Sequence, residues 1–369
     1  EVGYVVYQAT TIVLVNRLRT KRVDIHSSAS YKMLYPAFYL WRTTCVVRTI
    51  VGSLAIVTHK RGAAFWTYIY KLHRLCILRT LIYADNRGKL LNGMTVWKRT
   101  APRKEPESIV IGDIKVFPFF NSHSIYDSHM FLIEADGKRI WHMGDYRQHG
   151  YLGKGLLPTL KKYATDIDVF ITEGTMLKRD DKCIHEHIVS YKMQNVMKAF
   201  KYVFVLASAT DIERLAAIKQ ASIDAAKPLY IWSLFMKKTM EYFTERESKA
   251  SKGLFSFEPL FYNDRMLSKL KQTGMTMVVG TSQMDRVKVL LDKLPQEETL
   301  LIYSSWDGYY KDPEQVKANP KYKVFREMFH NVVDIHTSGH ADRATIKKVI
   351  EIINPKEVIC IHKEADAEL

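Results

Sequence analysis

Residues 130–147 read MFLIEADGKRIWHMGDYR, and most of the chain's architecture can be worked out from them. Met130 to Ala135 is strand-like, Asp136-Gly137 is tight-turn chemistry, and Arg139 to Met143 returns as a second strand. Gly144-Asp145-Tyr146-Arg147 follows, where Gly lets the backbone turn sharply and leaves a carboxylate at the strand's end. Outward from there the same grammar repeats. Upstream, Ile109 to Phe119 reads as a strand that runs into Asn121-Ser122-His123-Ser124. Downstream, the apolar run Asp168 to Thr172 ends at Glu173, and Tyr202 to Leu206 is a strand followed by a helix from about Asp211 to Ala226. Leu300 to Tyr303 is another strand. Ile346, Val349, Ile350 and Ile353 fall on one helical face that Asn354-Pro355 terminates. Val358 to Ile361 is a last strand with His362 at its end. Strands alternating with helices predict an α/β chain.

The chain has 369 residues, of which 47% are hydrophobic and 25% charged, enough for a sizeable core. At roughly 150 residues per domain, about two domains are expected. No uncharged apolar run reaches the ~18–20 residues of a membrane span; Val46 to Val57 comes nearest and carries Arg48. The four cysteines, Cys45, Cys76, Cys183 and Cys360, form no C-x-x-C pair. That excludes a disulfide scaffold or thiolate zinc finger and leads us to expect a cytoplasmic location and no membrane partner. Formal net charge is +16, and it is localised. Residues 1–105 hold 18 of the 55 basic and 4 of the 39 acidic residues, leaving a nearly balanced 37 and 35 in the rest. Basic residues there could meet the phosphates of a nucleic acid, and the alternative is a segment of abnormal composition.

Polar residues recur where strands end: His123, Asp145, Glu173, His340 and His362. Such ends are where α/β proteins assemble sites, and two imidazoles with a carboxylate are a zinc-type donor set. His340 stands in His336-Thr337-Ser338-Gly339-His340-Ala341 just before a helix, where free backbone N–H groups suit an anion. Any one of these residues alone reads as a satisfied structural residue before it reads as a ligand. His185-Glu186-His187 reads as an exposed helix start before it reads as a metal pair. His129, His142 and His149 read as surface or hydrogen-bonding residues, and His336 as a supporting or packing residue. Arg147 and Arg214 either meet phosphate or pair with nearby acids. The aromatic residues of 222–262, from Tyr230 to Tyr262, read as core before they read as a base-stacking surface. Ser304 and Ser305 lack a G-x-S-x-G context, and no P-loop is present.

Together, His123-Ser124, Gly144-Asp145-Tyr146-Arg147, Glu173-Gly174-Thr175, Ser338-Gly339-His340-Ala341 and Ile361-His362-Lys363-Glu364 resemble the later motifs of the metallo-β-lactamase fold in its β-CASP branch, specifically RNase J-like proteins. Residues 207–214 (ASATDIER) and 302–308 (IYSSWDG) are similar to that branch's cap. The resemblance covers about 106–369. It implies a four-layered αββα domain made of 1–177 and 331–369, with a β-CASP α/β cap inserted at 178–330. It also implies a zinc-dependent hydrolase of nucleic-acid phosphodiesters, RNA before DNA, with two zinc ions. His123 would bind the first ion, Asp145 would bridge both, and His362 would bind the second. Glu173 would orient ligands or water. His340 would touch phosphate or assist proton transfer, and Ser338, Gly339 and Arg147 would complete the phosphate contacts.

The family's main signature, H-x-H-x-D-H, has one counterpart here, Thr58-His59-Lys60-Arg61-Gly62-Ala63-Ala64. His59 is kept as a ligand, but Arg61, Ala63 and Ala64 stand where donors belong. Glu1-Val2-Gly3 resembles an early family element, so a first strand is expected to precede it. The degenerate motif and the surplus charge share residues 1–105. Two readings of that coincidence stay open: an altered segment, as from a shifted reading frame, and specialisation into a metal-poor, catalytically inactive nucleic-acid binder.

Overall fold

Two six-stranded sheets organise the chain, in a computed structural model that describes residues 108–369 apart from 112, 127, 180–182, 246, 248–250 and 365. His59 and the 58–64 motif lie outside the described residues. In chain order the elements are β1 (Ile109–Ile111), β2 (Ile114–Asn121), β3 (Ser128–Ala135), β4 (Lys138–His142), α1 (Leu156–Tyr163) and β5 (Val169–Glu173). Next come α2 (Glu186–Met197), β6 (Tyr202–Leu206), α3 (Ile212–Asp224), β7 (Leu229–Ile231), α4 (Leu234–Thr244), β8 (Leu260–Phe261), α5 (Leu267–Thr273), β9 (Met275–Val279) and α6 (Met284–Leu291). The remainder is β10 (Thr299–Tyr303), α7 (Gly308–Lys311), α8 (Pro313–Ala318), α9 (Lys321–Glu327), β11 (Asn331–Asp334), α10 (Arg343–Ile353) and β12 (Glu357–Ile361). The α/β expectation is met. The run expected as one strand from Ile109 is two antiparallel strands, with Ile111 opposite Ile114.

The first sheet has the order β1-β2-β3-β4-β5-β12. Its hairpin at Asp136-Gly137 has both residues at positive φ, +49° and +68°, as a two-residue turn between twisted strands requires. β2 and β3 run antiparallel, as do β3 and β4, whereas β4, β5 and β12 are parallel. Thus β2, β4, β5 and β12 all end at the same edge. One face packs Phe119, Met130, Leu132, Trp141 and Phe170 against Leu156 and Leu160 of α1 and Ile346, Val349 and Ile353 of α10. Asp342 caps α10 by accepting from the Thr345 N–H at 2.8 Å, and Asn354 ends it in the left-handed region. Alternation places Ile114, Val116, Ile133, Ile140 and Ile171 on the opposite face, so this sheet is apolar on both sides.

The second sheet, β11-β10-β6-β9-β7-β8, is parallel throughout. Its strands are continuous apolar runs because helices cover both faces. Val203 and Val205 of β6 join α2, α3 and α4 in one core, and Phe204 and Leu206 join α5, α6 and α9 in another. The chain leaves the first sheet after Glu173 and returns to it after Asp334. Both crossings pass the edge where the polar residues gather. Among the described residues, no helix is long and apolar enough to cross a membrane.

Candidate metal and nucleic-acid site

His123, Asp145 and His340 converge: one donor atom from each lies within 4.8 Å of the others. They come from three places, the turns after β2 and β4 and the crossing after β11. Asn121 fixes the first two together, its Nδ2 donating to the carbonyls of Met143 at 2.9 Å and Asp145 at 3.1 Å, and the Arg147 N–H donates to Ser122 O at 2.7 Å. Gly144 makes the turn at φ +60°, where a side chain would be strained. The third is pinned by its neighbours. His123 Nδ1 lies 2.6 Å from Gly339 O, and His149 Nε2 lies 2.6 Å from Ser338 O, so both imidazoles donate to the loop that carries His340.

Glu173 ties the sheet to that loop. Its Oε1 accepts from the Tyr146 N–H at 2.9 Å, and its Oε2 is 2.5 Å from His340 Nδ1. His362, at φ +52° after β12, sets Nδ1 2.9 Å from Asp145 Oδ1. Burial, with the neighbouring His340, lowers the His123 pKa and keeps that ring neutral. Burial opposes ionisation of Asp145, but the hydrogen bond from His362 and the nearby His340 and His123 outweigh it and hold its carboxyl below the usual range. Burial likewise works against His340⁺, yet Glu173 overcomes it and raises that pKa. Asp145 raises the His362 pKa.

The donors suit zinc in type. His123 and His340 each commit Nδ1 to an oxygen partner, the usual way a supporting partner orients a ligating imidazole, and the one contact of His123 Nε2 is Ser124 Oγ at 3.5 Å among the described residues. Among the described residues no Lys or Arg pairs with Asp145 or Glu173, so the carboxylates here have only imidazoles as countercharge. His362 contacts Asp145 but stands outside the three-donor group, where the sequence resemblance had put His340 outside and His362 inside.

Arg147 does not line the site. Its side chain is fully buried, with Nη1 3.0 Å from Glu186 Oε1 and Nη2 2.9 Å from Asp211 Oδ1, so the phosphate contact expected of it is replaced by pairing with acids. Ser338 Oγ accepts from the His340 N–H at 3.1 Å. At the start of the following helix, Asp342 takes up one N–H, that of Thr345. His185 and His187 are exposed at the start of α2, whereas Glu186 between them is buried. Glu186 also meets Arg214 at 2.9 Å, and Arg214 reaches Ser304 Oγ at 2.6 Å, His336 Nδ1 at 3.1 Å and Thr337 O at 3.2 Å. Glu213 accepts from Ser122 Oγ at 2.5 Å and the Leu152 N–H at 2.8 Å, and burial raises its pKa. Sequence reasoning missed Asn121, Glu186 and Glu213 as parts of this assembly. Their only signal was polarity inside segments destined for burial.

With the geometry in view, residues 328–367 match the zinc-dependent metallo-hydrolase RNA specificity domain, a stretch that spans β11, His340, α10 and His362. The match bears out, at these residues, the metallo-β-lactamase and β-CASP resemblance read from the sequence. Among solved structures, the chain is similar to a protein of unknown function from Enterococcus faecalis V583, with TM-score 0.53 and 17% identity over 72% of this chain. That likeness concerns the fold alone, and the chain spans 62% of that protein's length.

Proposed function

We propose that the protein is an RNase J-like, zinc-dependent hydrolase of RNA phosphodiester bonds. The observation that carries the reading is the convergence of His123, Asp145 and His340 beside a segment matching an RNA specificity domain. In the same reading, 1–177 and 331–369 form the metallo-β-lactamase αββα domain, and the two apolar faces of the first sheet support it, since a layered sandwich needs both. Residues 178–330 are the β-CASP cap, and the location is cytoplasmic. His123, Asp145 and His340 would hold one ion; a second ion would need His362 with donors from 1–105. A bound metal would supply Lewis acidity and ease deprotonation of a water near neutral pH. The chain's own residues do the rest: Glu173 holds a proton on His340 Nδ1, and Asn121 with Gly144 aims the Asp145 carboxylate.

A second reading, an inactive nucleic-acid binder, is favoured by Arg61, Ala63 and Ala64 at the positions of lost donors. Two measurements separate them: zinc per chain in undialysed protein, and cleavage of labelled RNA, DNA and a model phosphodiester with and without chelator. The hydrolase reading expects at least one zinc and chelator-sensitive RNA cleavage. Intact RNA at full zinc occupancy would overturn it, and RNA retention under chelator that weakens steeply with salt would favour the binder. Turnover of the model phosphodiester alone would replace RNA with a small substrate.

A further inference from the structure

We propose that Arg179, laid over the indole of Trp306, is a stacking seat for one base of a single-stranded RNA at the rim of the site. The proposal rests on the reading of the chain as acting on RNA, and it names a contact which that reading does not supply.

Trp306 stands three residues past β10, and its neighbour strand β11 leads into the His336–His340 crossing, so the two loops lie side by side at the carboxyl edge of the second sheet. Arg214 joins them by reaching both Ser304 Oγ and Thr337 O. Arg179 arrives from the other sheet, six residues after Glu173, through turns in which the Leu177 N–H donates to Gly174 O and the Arg179 N–H to Met176 O. Its guanidinium carbon lies 5.0 Å from the centre of the Trp306 ring. The pair therefore joins the crossing that follows Glu173 to the loop after β10, which neighbours the crossing that carries His340.

The indole is held from below. Gly308 sits so close that a Cβ there would enter the six-membered ring of Trp306, and Tyr309 packs edge-on at 5.3 Å. Tyr309 is itself stacked on Tyr322 at 4.5 Å and 18°. Arg179, Trp306, Tyr309 and Tyr322 are all half-buried, so this is a braced shelf with area left uncovered. Among the described residues Arg179 has no carboxylate partner; its one hydrogen-bond acceptor is the soft Met176 sulfur at 3.6 Å. A structural arginine at a joint between layers ordinarily takes acids, as Arg147 and Arg214 do here. A planar, weakly hydrated cation spread on an aromatic ring offers a flat face to a base and needs no particular sequence.

The test is anisotropy titration of the full chain, in chelator so that nothing is cleaved, with a labelled single-stranded RNA of about ten nucleotides and an abasic strand of equal length. Arg179→Ala and Trp306→Ala are each expected to weaken RNA binding roughly tenfold, with Trp306→Phe between them and wild type. Gly308→Ala should weaken it too, by displacing the indole. On the abasic strand the variants should match wild type. Unchanged RNA affinity in Arg179→Ala overturns the proposal, and so does an equal loss on the abasic strand, which would make Arg179 a phosphate contact. Should Trp306→Ala fail to fold, the half-buried Arg179 carries the test. A wild type that binds neither strand sinks this seat and the RNA reading together. Base-dependent binding without cleavage in zinc sinks only the hydrolase reading.

Discussion

Two clusters of charged residues sit two chain positions apart and have opposite characters. Asp145 belongs to an open group with His123, His340, His362 and Glu173; Arg147 belongs to a sealed one with Glu186, Asp211, Glu213 and Arg214. The sealed cluster brings its own cations: two guanidiniums face three carboxyls, and every side chain is at most 8% exposed. The open cluster has no Lys or Arg on its carboxylates among the described residues, and its Asp145–His362 pair is 29% and 60% exposed. Charge compensated from within makes a clamp. Charge left to be compensated from outside makes a site.

If that division is right, the two clusters fail differently. Asp145→Ala should abolish hydrolysis by roughly a thousandfold or more, while leaving the melting temperature within a few degrees, because a half-exposed pair is worth about 0–1 kcal/mol. Zinc content should fall with activity. A variant that keeps its zinc and cleaves RNA would remove Asp145 from the site. One that melts far below wild type would make the open cluster a second clamp.

Arg214→Met should do the reverse. Glu186, with a side chain 0% exposed, would keep only Arg147 as a partner. Ser304, His336 and Thr337 would lose their shared donor. Breaking a buried pair by removing one member costs about 3–5 kcal/mol, or about 4–7 °C at this size. Adding Glu186→Gln should recover part of that, since it removes the stranded charge. Thermal melts of the single and double variants measure it, and a single variant as stable as wild type would mean that water already reaches the cluster.

The sequence made the strand ends legible and left their meaning open. Asp145 and Arg147 follow the same strand, in the same four-residue turn, and both looked like site residues. What separates them lies 39 and 64 positions downstream, in Glu186 and Asp211, which close on Arg147 when the two sheets meet. No local pattern carries that information, since periodicity reports which face is buried and not which charges meet there. Hairpins and caps are local, so Asp136-Gly137 and Asn354-Pro355 could be read directly. Asp342 was equally local, but its capping role, which engages the Thr345 N–H in the helix after His340, was overlooked. That His340 joins His123 and Asp145 in one group while His362 meets Asp145 alone had no local signal, because it depends on how a crossing loop from one sheet lies over the edge of the other. His59, the remaining expected donor, lies outside the described residues.

The smallest expected effect concerns imidazoles that belong to neither cluster's charge. Burial lowers the pKa of His142 and His149 to about 4 and that of His336 to about 3, in the last case with help from Arg214. In the unfolded chain these rings take up protons near 6.5. Between about pH 6.5 and 4 the unfolded state therefore binds more protons, so stability must rise with pH across that window and fall on acidification. His340 and His362 act in the opposite sense: their raised values favour the fold below 6.5 and stop doing so as pH rises past them. Each proton taken up only on unfolding contributes about 1.4 kcal/mol per pH unit. His149→Gln can keep an N–H donor for Ser338 O and removes one such proton. Its stability, measured by denaturant titration from pH 7 to 4.5, should be less pH-dependent than wild type by about that slope. An unchanged slope would mean that His149 is hydrated and titrates normally, and the wall between the open site and the sealed clamp would be thinner than the structure draws it.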